Sequence, residues 1–133
     1  MAAGVYCCSV AHVLTWVNCG HDPALLIRRG TALWLLPTGD ALGLFADAEF
    51  HQEEVTLQPG DLLLLFTDGV IDAGRPPHLY DMERLREVAL RAATPTASSA
   101  TIVREIVADL VRFNGGAAFS DDVCLIALQP RRG

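Results

Sequence analysis

The sequence contains no lysine, so all ten of its basic residues are arginines, set against sixteen acids for a net charge of −6. The arginines stand singly or in pairs. A chain with no basic cluster has no footprint for a phosphate backbone, which excludes non-specific nucleic-acid binding. Long hydrophobic runs are missing too. The longest are far short of the roughly 20 residues that span a bilayer, and the N-terminus lacks the basic-then-apolar layout of a secretory signal. No membrane partner is expected, and a cytoplasmic location is. Cysteine is scarce and unpatterned: Cys7, Cys8, Cys19 and Cys124 form no CxxC pair. All four lie in apolar, strand-like segments, which predicts buried free thiols in a reducing compartment and no zinc site or disulfide frame. Repeats, low-complexity stretches and linkers are also lacking.

What is present is a core. Apolar residues make up 51% of the 133 positions and mean hydropathy is +0.31, which rules out disorder and sets one domain over residues 1–133.

The most informative stretch is residues 58–72. Pro59-Gly60 fits the centre of a type II turn, Pro presetting φ and Gly accepting the positive φ that follows. Leu62, Leu63, Leu64, Leu65 and Phe66 then form an apolar run too short for a helix, bounded by turn residues: a fully buried strand. It ends in Asp68-Gly69. By itself Asp-Gly marks a turn. A carboxylate at the mouth of a buried strand must also be neutralised, hydrogen-bonded or bound to a cation.

Around it, residues 5–10 and 13–17 read as a hairpin turning at Ala11-His12, with Leu14 and Trp16 on one face and Val13, Thr15 and Val17 on the other. Residues 24–28 and 32–36 form a second hairpin about Arg29-Gly30. Residues 50–57 read as a strand pairing with residues 61–67 through the Pro59-Gly60 turn. Asp81 caps a helix with the apolar stripe Leu85, Val88, Ala89 and Ala92, ended by Thr94-Pro95. Ser98 or Ser99 caps a second. Its stripe is Ile102, Val103, Ile106, Val107, Leu110 and Val111, with Arg104, Glu105, Asp109 and Arg112 opposite, and Asn114-Gly115-Gly116 stops it. A last apolar strand, residues 123–128, carries Asp121-Asp122 at its start.

Gly60-Asp61-x-Leu63-Leu64-x-x-Thr67-Asp68-Gly69-Val70-x-Asp72 resembles the "GDxLLLxTDGVxE" signature of SpoIIE-like phosphatases, a bacterial branch of the metal-dependent (type 2C) serine/threonine protein phosphatases. Further pieces recur in order. Asn18-Cys19-Gly20-His21-Asp22-Pro23 is similar to the family's "NAGHPP", with Cys19 and Asp22 as departures. Leu42-Gly43 matches its "LG", and Asp121-Asp122 its "DDxT", with Cys124 where Thr is usual.

The resemblance implies an α+β fold: an antiparallel β-sandwich with two helices packed on a sheet. It implies hydrolysis of phosphoserine or phosphothreonine by a metal-activated water with no covalent intermediate, and Mg²⁺ or Mn²⁺ as cofactor. The substrate it implies is a phosphorylated regulatory protein of the anti-anti-sigma kind, in a partner switch. Carried over by motif, Asp68 and Asp121 are the metal ligands; Gly69, Asp72, Asp122 and His21 stand as further candidates around them, and no side chain is assigned as catalytic.

Physical chemistry points the same way. Asp68 follows its strand and Asp121 precedes its own, so antiparallel pairing brings both to one sheet edge, where a hard divalent cation is the natural remedy for repelling carboxylates. The family's preceding portion, with its "xxDVxGHG"-like segment and bridging Asp, has no counterpart here, since no Asp precedes Asp22. A single partial domain is therefore expected, with apolar strand edges exposed and homodimerisation or strand exchange through them. Two other readings stay open: a catalytically inactive interaction module with the same fold, and a small β-rich ligand-binding domain whose aspartates only form turns.

Overall fold

The computed structural model describes residues 2–130. Two hairpins open the chain. β1 (Ala3–Cys8) pairs with β2 (Val13–Cys19), and β3 (Ala24–Arg28) with β4 (Thr31–Leu35). The second turns at Arg29-Gly30, both with positive φ, as a two-residue hairpin loop requires. There follow β5 (Glu53–Thr56), β6 (Leu62–Phe66), a single helical turn α1 (Asp68–Ile71) and a small ribbon of β7 (Gly74–Arg75) and β8 (His78–Leu79). Helices α2 (Asp81–Ala92) and α3 (Ser99–Phe113) lead to β9 (Leu125–Leu128).

The strands form two larger antiparallel sheets, β1-β2-β5 and β4-β3-β6-β9. Leu62, Leu64 and Phe66 of β6 pack with Leu25 and Ile27 of β3 against the helices, whereas Leu63 and Leu65 pack with Leu14, Trp16 and Leu26 between the sheets. Both faces of β6 are thus covered, which is why its sequence is a continuous apolar run. The layers are sheet, sheet and helices.

Both helices lie where periodicity puts them. Ser98 caps α3, its hydroxyl accepting from the Thr101 N–H at 3.2 Å, and Asp81 caps α2, its carboxylate accepting from the Arg84 N–H at 2.9 Å. Leu85, Val88, Ala89 and Ala92 are all buried.

Several expectations are corrected. β5 does not pair with β6. It pairs with β2, in register Leu14↔Val55, so the Pro59-Gly60 turn links two sheets and is no hairpin. Asp109, expected on the solvent face of α3, is 5% exposed, while Val107 and Val111 are 39% and 43% exposed, so the helix is rotated toward Asp109. Among the cysteines only Cys19 is buried; Cys7 and Cys8 of β1 and Cys124, just before β9, are exposed, and all four are free thiols. Apolar residues do stand open at one sheet edge: Ile126 and Leu128 of β9 are about half exposed beside a cleft of about 420 Å³ between β1 and β9.

Candidate functional site

The site grows from the joint between the end of β6 and the start of β9. Leu63↔Leu128 through Phe66↔Leu125 run antiparallel. Beyond the last pair, Thr67 continues the seam by other means. Its N–H donates to the Cys124 carbonyl at 3.1 Å, its hydroxyl accepts from the Cys124 N–H at 3.0 Å, and the same hydroxyl donates to the Asp122 carbonyl at 3.0 Å. One threonine thus straps the two chain segments together, with Asp68 leaving on one side and Asp121-Asp122 arriving on the other.

Gly69 is required by contact. A Cβ placed on it would lie 2.3 Å from the Asp122 carbonyl oxygen, so only glycine lets the Asp121-Asp122 backbone cross here. Directly after Thr67 the chain coils into α1, the Asp72 N–H donating to the Asp68 carbonyl at 2.8 Å. This turn sets the Asp68 and Asp72 carboxylates at the same sheet end, both exposed. Asp121 is exposed as well, with one carboxylate oxygen accepting from the Asp122 N–H at 2.7 Å.

A third segment joins from the loop between β2 and β3. Asn18 is fully buried; its side-chain oxygen accepts from the His21 N–H at 2.8 Å, and its amide donates to the Asp22 carbonyl at 3.4 Å. That turn, with Gly20 at φ +76°, presents His21 and Asp22 toward the β6 end. Burial pushes the Asp22 carboxyl above its ordinary value. The charges of Asp68 and Asp72 push it further, while His21 works the other way. Four sequence-flagged residues, His21, Asp68, Gly69 and Asp72, therefore share one neighbourhood, with Asp121 and Asp122 strapped beside them.

Three contributors carried no assigned role in the sequence. Asp22 stood out only as a departure from "NAGHPP". Thr67 belonged to the motif, yet nothing in a sequence reveals that its hydroxyl bridges to β9. Asp61, in the same motif, is 1% exposed and anchors the opposite end of β6. Its carboxylate takes the Arg28 guanidinium at 2.6–3.1 Å and the Gln58 N–H at 2.7 Å, fixing the entry of β6.

Carboxylates are the donors that Mg²⁺ and Mn²⁺ prefer. Their number falls short: among the described residues, no group of three or more His, Cys, Asp or Glu side chains is placed to hold a metal ion. The donor chemistry fits a hard cation, but the donor set does not fit a self-sufficient metal centre.

Comparison with known proteins bears on the family and the fold. The family model described as "Stage II sporulation protein E (SpoIIE)" matches residues 2–131. Phosphoserine phosphatase RsbP of Bacillus subtilis is 31% identical over 114 residues, which cover 85% of this chain and 26% of RsbP. Among solved structures, that of the RsbU and RsbW domains of Rv1364c from Mycobacterium tuberculosis matches with a TM-score of 0.79 at 26% identity, covering 96% of this chain and 36% of that one. The Mn-presoaked phosphatase domain of the cell fate determinant SpoIIE from Bacillus subtilis matches with a TM-score of 0.72, covering 96% of this chain and 56% of that one. At 16% identity, this last likeness is one of fold. The chain spans less than two thirds of each of these proteins.

Proposed function

The chain belongs to the SpoIIE family of type 2C phosphatase-like domains, and on that premise we propose that residues 1–133 form the C-terminal share of a metal-dependent serine/threonine protein phosphatase domain. The observation that carries this is the Thr67 strap, which holds the Asp68 and Asp121 segments at one edge beside Asp22 and Asp72. In this reading Asp68 and Asp121 each offer a side-chain oxygen to a divalent cation, Mg²⁺ or Mn²⁺. Asp72, Asp122 and His21 surround them, and Gly69 provides the clearance. The remaining ligands come from outside these residues, consistent with the limited share of each relative that the chain spans.

The substrate is a phosphoserine or phosphothreonine on a regulatory protein, an anti-anti-sigma-like factor in a partner switch. Similarity to RsbP, named a phosphoserine phosphatase, supports that class. No helix among the described residues is long and apolar enough to cross a membrane, and we place the activity in the cytoplasm.

The test is Mn²⁺-dependent phosphate release from a phosphoserine peptide. Residues 1–133 alone are expected to give background release. The same residues joined to the N-terminal part of the RsbP phosphatase domain are expected to give Mn²⁺-dependent release that Asp68→Asn abolishes. Robust release by residues 1–133 alone contradicts a partial centre. The sparse donor set favours a second reading, an inactive module that binds a regulatory partner; a well-folded chimera with no release supports it.

A further inference from the structure

A cavity of about 570 Å³ opens between the β7–β8 ribbon and the loop that follows α3. The ribbon starts two residues after Asp72, and the loop ends immediately before Asp121, so both walls run out from the acidic edge. Arg75, His78, Asn114 and Ser120 supply its polar lining, and none of its lining residues is acidic, in a chain of net charge −6. The Arg75 and His78 side chains are exposed, and among the described residues neither makes an ion pair or a side-chain hydrogen bond. Elsewhere Arg28 is committed to Asp61, Arg84 and Arg112 to Asp109, and Arg86 to Glu83.

The walls are preformed. Phe113 stacks edge-on against Tyr80 at 5.4 Å, and the Arg84 guanidinium covers its ring at 4.8 Å. The Asn114 amide donates to the Ala117 carbonyl at 2.8 Å and shapes the opposite loop. A Cβ on Gly74 would lie 2.5 Å from the His78 carbonyl and 2.8 Å from the Phe113 ring, so the floor is already closed.

We propose that this cavity receives an oxyanion group of a peptide lying across the acidic edge, with the Arg75 guanidinium as its cationic partner and the His78 ring as a further hydrogen-bonding wall. The planar guanidinium fork suits a carboxylate or a phosphate, and an unpaired arginine beside a preformed wall gives up little existing interaction to bind one. The proposal rests on the acidic edge being the substrate-facing end of the domain, and it adds a substrate-selecting pair to that end.

The test is an NMR titration of residues 1–133 in EDTA, so that its result does not depend on metal binding. Two peptides serve as probes: one with phosphoserine among alanines, and one with Glu in the phosphoserine position. Amide shifts are expected at Gly74, Arg75 and His78 and in residues 113–120. Arg75→Gln is expected to weaken binding about tenfold, the worth of one charge-assisted hydrogen bond, and Arg75→Lys to recover part of the loss. Arg104→Gln, with the same charge change on the middle of α3, should leave binding unaltered. Tighter binding of the phosphoserine peptide identifies phosphate as the preferred group; equal binding shows that a carboxylate suffices. No shifts in those residues with either peptide, or equal weakening by Arg104→Gln and Arg75→Gln, overturns the proposal.

Discussion

Asp61 is almost wholly buried at the entry of β6, and Asp68 is exposed just past its exit. In the sequence they are two carboxylates of one motif. Their difference lies in partners: Asp61 meets Arg28 and the Gln58 N–H, whereas Asp68 faces solvent beside Asp22 and Asp72. Asp61→Asn should therefore cost roughly 2–4 kcal/mol of stability by leaving Arg28 without its countercharge, measurable by urea denaturation. Asp68→Asn, which relieves repulsion, should leave the metal-free protein at least as stable. Asp109 gives a pH-dependent case. Burial disfavours its charge, but hydrogen bonds from Arg84, Arg112 and Tyr80 outweigh that and hold its carboxyl below the ordinary range. A depressed native pKa means stability that is fully present above the unfolded value and lost as pH falls through the native one. Asp109→Asn should thus cost roughly 1–3 kcal/mol near neutral pH, and its difference from the parent should shrink in melts taken below about pH 4. An undiminished difference in acid would refute the ionic role.

Among the elements, β6 and the two helices were legible because their signals are local. A five-residue apolar run between turn residues can only be a strand covered on both faces, and the stripe from Leu85 to Ala92 fixes its own helix. Elements whose partners are remote were not legible. The Pro59-Gly60 turn has hairpin chemistry, but β5 is drawn to β2, where Val55 and Leu57 help close the inter-sheet core around Leu14 and Trp16. The rotation of α3 was not legible because valines and an aspartate exchanged their usual places, and the reason is that Arg84 of α2 and Tyr80 just before that helix both donate to Asp109. The strap between β6 and β9 was likewise invisible, though Gly69 hinted at it. Gly69→Ala should cost on the order of 3 kcal/mol, the upper end of overpacking, since the obstructing atom is backbone and cannot rotate away. Thermal melts check this; a loss below about 1 kcal/mol would mean that the crossing is loose.

At the scale of the whole molecule, the sandwich and its helical layer were legible through the resemblance, and the shared edge of the Asp68 and Asp121 segments follows from two acid-tipped apolar strands paired antiparallel. Asp22 did not follow, because it arrives from the β2–β3 loop through a turn that buried Asn18 builds. The central claim is that this edge is part of a divalent-cation site. Its most direct test is thermal stability with and without millimolar Mn²⁺, in the parent and in Asp121→Asn. Binding at several times the Kd should raise the parent's Tm by about 3 °C, and Asp121→Asn should show no rise. Equal shifts in both proteins, or none in the parent, would contradict the account.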